Sequence, residues 1–300
     1  MTQGTHLIAA SYDLTISVTD LSLDTSSGAA PTKFSLQNAQ ANKIIAINKT
    51  RFVVASNPFI FLFDRTVKST KPLQTFQGHQ SNVTDLCYDD QFLYSCSEDK
   101  TWHKWDFSKS RSISVVNNGN CLNTMTLLNK NSQIATGNDR GKIDVYNLAD
   151  NSNIASKKIA SCPIRSIAEC GENGPLIVGA QDGKVYIVKI DGPEISILNT
   201  FEAHKAILTR VTPSPNGKLF ATTSADSTTA VWDIDTCQLV AKLEDPAQTR
   251  WVWDAKFFSD STHIATGGTD KICRIWNIID KKPLRTIEWH QKGVTCLTLI

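Results

Sequence analysis

Two sets of residues in this chain could do chemistry, because each combines a histidine, a hydroxyl, an aspartate and a tryptophan. The sets are His79, Ser95, Asp99 and Trp105, and His204, Thr222, Asp226 and Trp232. A histidine held between a carboxylate and a hydroxyl could activate that hydroxyl as a nucleophile, as in a catalytic triad. However, the two sets repeat with nearly the same order and spacing. We therefore interpret them as repeated hydrogen-bonded structural sets and predict that the protein is not an enzyme.

The element that must position each set is an internal repeat. Its clearest copies are residues 97–106, 224–233 and 268–277, and each ends in Trp followed by Asp or Asn. Four weaker copies bring the number to seven, with the aromatic position recurring every 41 to 44 residues. The repeats contain short runs rich in Val, Ile, Leu, Thr and Phe, which favour strands. A period of about 40–45 residues with a Trp-Asp signature is typical of WD-repeat propeller blades, which have four strands each.

The two ends of the chain complement each other in this repeat. The first unit begins at its second strand, near His6, and the last segment, 293–299, reads as a first strand with no second strand after it. We therefore predict an all-β protein in which residues 1–300 form one seven-bladed WD-repeat β-propeller. In this prediction the C-terminal strand joins three strands within 6–36, which closes the ring and pairs the free edges. We expect the propeller to be monomeric.

Composition excludes several classes of function. The formal net charge is only +2, with 31 Lys and Arg against 29 Asp and Glu, so no long-range attraction to nucleic acid is expected. No apolar run approaches the length of a membrane span, and the first residues do not resemble a secretion signal. The eight cysteines form no zinc-ligand spacing, and we expect reduced thiols in a cytoplasmic protein. No glycine-rich phosphate motif occurs, so we predict no cofactor and no metal.

The hydrogen-bonded sets have a counterpart in WD-repeat proteins, which the repeats resemble. The four strands of a blade are called a to d in chain order. In WD-repeat proteins, a His before strand a, a Ser or Thr in strand b, an Asp in the b–c turn and the Trp of strand c form a tetrad. The resemblance implies that both sets above are such tetrads. Three units depart from the pattern: the seventh has Asp245-Pro246-Ala247 where Gly-His is expected, the fourth has Arg140 for the Asp, and the fifth has Val178 and Val188. We expect those blades to depend more on apolar packing.

The seventh unit also carries a more specific signal. Residues 250–254 read Arg-Trp-Val-Trp-Asp, and the two indoles flank one Val, so both project to the same side of a strand. Together with Tyr12-Asp13, 82–85, 97–99 and 224–226, this segment makes the chain similar to the GβL family, the small seven-bladed subunits of TOR kinase complexes. The resemblance is strongest in the last hundred residues.

The resemblance to the GβL family implies a function. It implies a non-catalytic scaffold and regulatory subunit of TOR kinase complexes, which binds an insertion in the C-lobe of the kinase and supports the active kinase. The partners would be the TOR-family kinase and its complex subunits, in nutrient and growth signalling. The implied location is the cytoplasm and, through the kinase complex, endomembrane surfaces. Neither nucleic acid nor direct insertion into a membrane is implied.

We predict the partner site on the face that carries the d–a and b–c turns, where residues just before strand a are displayed. The predicted contact residues are Tyr12, Asn82, Glu98, Ile207, Trp251 and Trp253. Packing between blades is the alternative interpretation for both Trp251 and Trp253. The sequence leaves these two interpretations open.

Other kinds of propeller scaffold remain as alternatives. A ribosome-associated scaffold would need a concentrated basic face, which the scattered Lys and Arg residues do not indicate. A substrate receptor of a ubiquitin ligase usually has an adaptor-binding segment outside the blades. A reader of peptides or modified lysine could use Tyr12, Trp251 and Trp253 as an aromatic box at the mouth of the channel.

Overall fold

The computed structural model describes residues 5–22, 30–36 and 39–300, and within these ranges the chain forms strands and turns without a helix. The strands make seven antiparallel four-stranded sheets, one for each sequence repeat. The prediction of an all-β, seven-bladed propeller is confirmed. Across the part of the chain that the structure describes, no helix is present with the length and apolar character that crossing a bilayer requires.

Each of the first four blades runs from an innermost strand beside the axis to an outermost strand. Blade 1 consists, in that order, of β28 (Val294–Leu299), β1 (His6–Ser11), β2 (Thr15–Asp20) and β3 (Thr32–Ser35). Blade 2 consists of β4 (Lys43–Ala46), β5 (Arg51–Ala55), β6 (Ile60–Asp64) and β7 (Gln74–Phe76). Blade 3 consists of β8 (Val83–Tyr88), β9 (Phe92–Ser97), β10 (Thr101–Asp106) and β11 (Ser112–Asn117). Blade 4 consists of β12 (Leu122–Leu128), β13 (Gln133–Asn138), β14 (Lys142–Asn147) and β15 (Asn153–Lys158).

The last three blades follow the same order. Blade 5 consists of β16 (Ile164–Glu169), β17 (Leu176–Ala180), β18 (Lys184–Asp191) and β19 (Glu194–Glu202). Blade 6 consists of β20 (Leu208–Pro213), β21 (Leu219–Ser224), β22 (Thr229–Asp233) and β23 (Leu239–Leu243). Blade 7 consists of β24 (Val252–Phe257), β25 (His263–Gly268), β26 (Cys273–Asn277) and β27 (Lys282–Ile287).

The ring is closed as the sequence predicted. Strand β28 pairs antiparallel with β1, with Ala9 opposite Leu297. The backbone of His6 and that of Ile300 exchange two hydrogen bonds, of 2.8 and 3.0 Å. Both chain ends are therefore paired within one sheet, which leaves blade 1 without an open inner edge.

The core lies between successive blades. Phe34 of blade 1 packs against Phe52 and Phe63 of blade 2, with ring centroids 5.4 to 5.6 Å apart. Between blades 5 and 6, a Cβ on Gly179 would lie 2.4 Å from the Leu208 side chain, so a larger residue would force that side chain to move. Buried apolar clusters of this kind hold the sheets face to face.

The innermost strands surround a central channel. Each of them contacts the innermost strand of the next blade, in the closed cycle β4, β8, β12, β16, β20, β24, β28 and back to β4. Residues at the start of these strands, and in the turns beside them, therefore lie around the mouth of the channel on one face of the ring. This is the face on which the partner contacts were predicted.

Candidate functional site

The structure joins the four predicted members of the blade 3 set. His79 Nδ1 lies 2.8 Å from Asp99 Oδ2, and His79 Nε2 lies 2.7 Å from Ser95 Oγ. The indole N–H of Trp105 donates to the same hydroxyl at 2.8 Å. Burial alone would raise the pKa of Asp99, but hydrogen bonds from His79 and Thr101 hold it well below its usual value. The imidazole is thus held between its two partners and connects the turn that contains Asp99 to the strand that contains Ser95.

Blade 6 repeats this arrangement. His204 Nδ1 lies 2.9 Å from Asp226 Oδ2, and its Nε2 lies 2.7 Å from Thr222 Oγ1. Trp232 donates its indole N–H to Thr222 at 2.9 Å. The same geometry occurs in two blades, which indicates that the tetrad is a structural feature of the repeat.

A third set of this kind was missed in the sequence. His290 Nε2 lies 2.8 Å from Ser17 Oγ, and His290 Nδ1 lies 3.2 Å from Asp13 Oδ2. The histidine comes from the C-terminal end and its partners from the N-terminal end, so no local pattern contains all three. The available signal was that His290 precedes strand β28 as His79 precedes strand β8. Thr19 holds the aromatic position in this blade, so the set has no indole.

Blade 7 corrects the expectation of mainly apolar packing. The side chain of Arg274, only 1% exposed, takes the place of the missing histidine. Its Nε lies 2.7 Å from Asp245 Oδ2, and its Nη1 lies 2.5 Å from Asp270 Oδ2. Trp276 still donates to Thr266, at 2.9 Å. A charged network, rather than apolar contacts alone, replaces the tetrad in this blade.

Blade 4 also has a polar substitute. Asn118 Nδ2 donates to Asp144 Oδ2 at 3.0 Å and to the hydroxyl of Tyr146 at 2.7 Å. Asp144 in turn pairs with Lys142 at 2.7 Å. The apolar expectation was therefore wrong for blade 4 as well.

Blade 5 follows the apolar expectation. Val178 and Val188 are fully buried in one apolar cluster. These two valines replace the hydroxyl and the tryptophan of the tetrad.

One tetrad has an additional histidine beside it. His103 stacks on His79 with ring centroids 3.8 Å apart, and together with Asp99 the pair could in principle surround a metal ion. Both ring nitrogens of His79 already have partners, however, and a metal would have to break one of those bonds. Burial, and next the neighbouring His79, lower the pKa of His103 to about 3, so this ring is neutral at physiological pH. The geometry therefore fits packing of a neutral ring onto the tetrad.

Four of the six predicted partner contacts line one cavity. Tyr12, Asn82, Glu98 and Trp253 surround a space of about 180 Å³. The same cavity is bordered by the first residues of innermost strands all around the ring, which places it on the axis, at the mouth of the channel. Asn82 links its rim, because its amide accepts from Asn42 at 2.6 Å and donates to Glu98 at 3.3 Å.

The other two predicted contacts lie beside this cavity. Trp251 is 36% exposed, and its ring packs against that of Trp253 with centroids 5.0 Å apart and an angle of 50° between the ring planes. Trp253 is half-buried, so neither indole belongs to the fully buried core. Ile207 is half-buried, and its carbonyl accepts hydrogen bonds from Ser224 and Ala225. The structure thus places an aromatic pair at the channel mouth. That a partner contacts it remains a prediction.

Deeper in the channel lies a group of charges that the sequence analysis missed. Lys43 Nζ pairs with Asp85 at 2.8 Å, and Arg210 lies 3.8 Å from Asp85 and 3.5 Å from Asp254. Burial, and next the charge of Lys43, lower the pKa of Lys256 to about 8. The available signal was the occurrence of charged residues inside strands whose other residues are apolar.

Comparison with known proteins agrees with the fold. The family described as "WD domain, G-beta repeat" matches residues 70–106, 195–233 and 237–277. These stretches include both complete tetrads and the arginine-centred network of blade 7. The strands of blades 1 and 4 lie wholly outside the matched stretches.

Three relatives show how far the similarity extends. The "Target of rapamycin complex subunit wat1" of Schizosaccharomyces pombe is 27% identical over 238 residues, which is 76% of this chain and 74% of that protein. The "Target of rapamycin complex subunit LST8" of Saccharomyces cerevisiae is 26% identical over 76% of this chain and 77% of its own length. The "Non-functional target of rapamycin complex subunit LST8-2" of Arabidopsis thaliana is 28% identical over 85% of this chain and 83% of its own.

The matches therefore span most of both chains, and they agree with the resemblance indicated by the tryptophan pair. The seven-bladed ring and the repeats show that the chain is a WD-repeat propeller, and its sequence is similar to those of proteins named as subunits of target of rapamycin complexes.

Proposed function

We propose that this protein is a non-catalytic subunit of a TOR kinase complex. The observation that carries the proposal is the similarity to proteins named as subunits of such complexes along about three quarters of both chains. A propeller fold alone would not give a function, because many unrelated proteins share it. The tetrads are consistent with a scaffold, since their histidines are held by structural partners inside the blades.

The channel-mouth face is the surface that we assign to the kinase. Trp251 and Trp253 form one aromatic pair there, and exposed aromatic residues of this kind often supply most of the energy of an interface. Asn82 and Glu98 form a polar rim next to them. Such a rim orients a partner, while the aromatic pair contributes most of the affinity.

The finer details come from the resemblance to the GβL family. The bound segment would be an insertion in the C-lobe of the kinase, and the propeller would help to keep the kinase active in nutrient and growth signalling. The monomeric propeller would act in the cytoplasm and reach endomembrane surfaces through the complex.

Affinity purification of the tagged protein from its own cells, followed by mass spectrometry, tests the proposal. We expect a very large TOR-family kinase as the main partner. The Arabidopsis relative is 28% identical to this chain, and its name describes it as non-functional. The purification therefore tests the association with the kinase directly. Recovery of ribosomal proteins, a cullin adaptor or histones in place of the kinase would contradict the proposal.

Variants show whether the assigned face makes the contact. Trp251→Ala should reduce recovery of the kinase. Leu284→Ala should leave it unchanged, because Leu284 is a 49% exposed residue on the outer strand β27, away from the channel. Equal recovery with both variants would move the interface to another part of the ring.

A further inference from the structure

A repeated hydrogen bond surrounds the mouth of the channel. In four blades, a side chain at the start of the innermost strand donates to a backbone carbonyl at the start of the next innermost strand. These bonds run from Asn42 to Val83 at 2.8 Å, Thr84 to Leu122 at 2.9 Å, Asn123 to Ile164 at 3.0 Å and Thr209 to Val252 at 2.6 Å. They tie neighbouring blades together around the axis.

Arg165 and Trp253 hold the equivalent positions in blades 5 and 7 and break this pattern. Among the described residues, none forms a hydrogen bond or an ion pair with the Arg165 guanidinium. Burial, and next the charge of Arg210, lower the pKa of this group. The indole N–H of Trp253 and the Nε of Arg210 are buried and also without a hydrogen bond. Buried donors are normally satisfied, because an unsatisfied one loses its hydration without compensation. All three side chains line the same cavity.

The channel is lined by charges of both signs, and most of its cations face a carboxylate. The cations that line it are Lys43, Arg165, Arg210 and Lys256, and the buried carboxylates that face them are Asp85 and Asp254. Glu98 lies at the exposed rim of the mouth that Arg165 lines, and Asp90 and Glu169 lie at the other mouth. Among the described residues, the buried carboxylates pair with Lys43 and Arg210, so the half-buried Arg165 guanidinium is a cation that no carboxylate neutralises, and it favours an anion.

We infer that the mouth of the central channel is a binding site for a small oxyanion, a phosphate or carboxylate group carried by a soluble compound. The planar guanidinium of Arg165 suits two parallel hydrogen bonds to such a group. Trp253 lines the same cavity two blades further around the ring, and Arg210 adds positive charge there. The cavity of about 180 Å³ is large enough for a small anion.

The site is tested on the isolated protein, so the result does not depend on any kinase. Inorganic phosphate and succinate are titrated separately at constant ionic strength, with chloride as the balancing anion. Binding is measured by calorimetry and by tryptophan fluorescence, which should respond because Trp253 lines the site. We expect saturable binding, and the tighter of the two ligands identifies the oxyanion.

The decisive variant is Arg165→Gln, which should weaken binding about tenfold or more, as expected for loss of a charged hydrogen bond. Arg250→Gln is the matched control, because Arg250 is exposed on the same face and does not line the cavity. It removes the same charge and should leave affinity unchanged. Trp253→Phe should weaken binding by a smaller factor, since Trp253 lines the cavity but carries no charge.

Thermal unfolding of each variant shows whether it is folded. Arg165 has no partner to lose, so we expect Arg165→Gln to be as stable as the wild type. If that variant did not fold, Arg165→Lys, which keeps the charge but loses the fork, should bind with intermediate affinity. The inference is overturned if the wild type binds neither oxyanion, or if the Arg165 and Arg250 variants bind equally well.

Discussion

Asp13 and His290 are 277 positions apart in the chain, and their side chains meet at 3.2 Å where the ring closes. The backbone N–H of Gln291 donates to the same carboxylate at 2.9 Å. These contacts fasten the C-terminal strand to the b–c turn of blade 1, so the seam is held by side chains as well as by strand pairing.

Loss of His290 should weaken this closure. His290→Ala leaves the buried Ser17 hydroxyl and the Asp13 carboxylate without their shared partner, and we expect a loss of about 1–3 kcal/mol of stability. Chemical denaturation gives the value. Gln291→Ala is the control, because this side chain is exposed and only its backbone contacts Asp13, so its stability should stay near that of the wild type. Equal stability of the two variants would mean that strand pairing alone closes the ring.

The buried arginine of blade 7 makes a stronger prediction. Arg274→Ala leaves Asp245 and Asp270 close together without a cation, and breaking a buried ion pair in this way typically costs about 3–5 kcal/mol. Arg274→Lys keeps the charge but cannot reach both carboxylates with the same fork, so its loss should be smaller. Denaturant midpoints of the two variants test the order. A loss below about 1 kcal/mol for the alanine variant would show that apolar packing dominates this blade.

The ring and its strands could be predicted from the sequence because the repeat is local. The segment 293–299, for example, was expected as the strand that closes the ring, and Val294–Leu299 form that strand. The arginine of blade 7 could not be predicted by position, since it lies on strand c while the histidine that it replaces precedes strand a. The pairing of polar groups across strands depends on how far their side chains reach, and the order of the residues in the sequence does not show this.

The channel mouth shows the same limit. The position of Trp253 on the face of the channel mouth could be predicted from its neighbours in the sequence. Its shared cavity with Arg165 could not, because the two residues are two blades apart and meet only around the axis of the closed ring. A charge inside a strand gives no local sign of which other charges it will face.

The histidine stacked on the blade 3 tetrad should make stability depend on pH. The pKa of His103 is about 3 in the folded protein against an ordinary value of 6.5, so between these values the unfolded chain binds a proton that the folded chain does not. Stability should therefore fall as the pH drops through this window, by up to about 1.4 kcal/mol per pH unit from this residue. Denaturation at several pH values measures the slope.

The variant His103→Phe tests whether His103 causes this dependence of stability on pH. It keeps a ring that can stack on His79 but cannot bind the proton, so stability should depend less on pH below about 6.5. The dependence should not vanish, because burial also lowers the pKa of His290, which contributes with the same sign. An unchanged slope in the phenylalanine variant would show that His103 is not the group responsible.

The tryptophan pair gives the quantitative test of the partner face. Trp251→Ala or Trp253→Ala should each cost about 2–4 kcal/mol of binding free energy, which is about 30- to 1000-fold in affinity for the purified kinase. Asn82→Ala should cost less, because Asn82 lies at the polar rim. Thermal unfolding first shows that each variant is folded and has the unfolding temperature of the wild type. If both tryptophan variants are folded and bind the kinase with wild-type affinity, the pair only fills the channel mouth, and the kinase contacts must lie elsewhere on the ring.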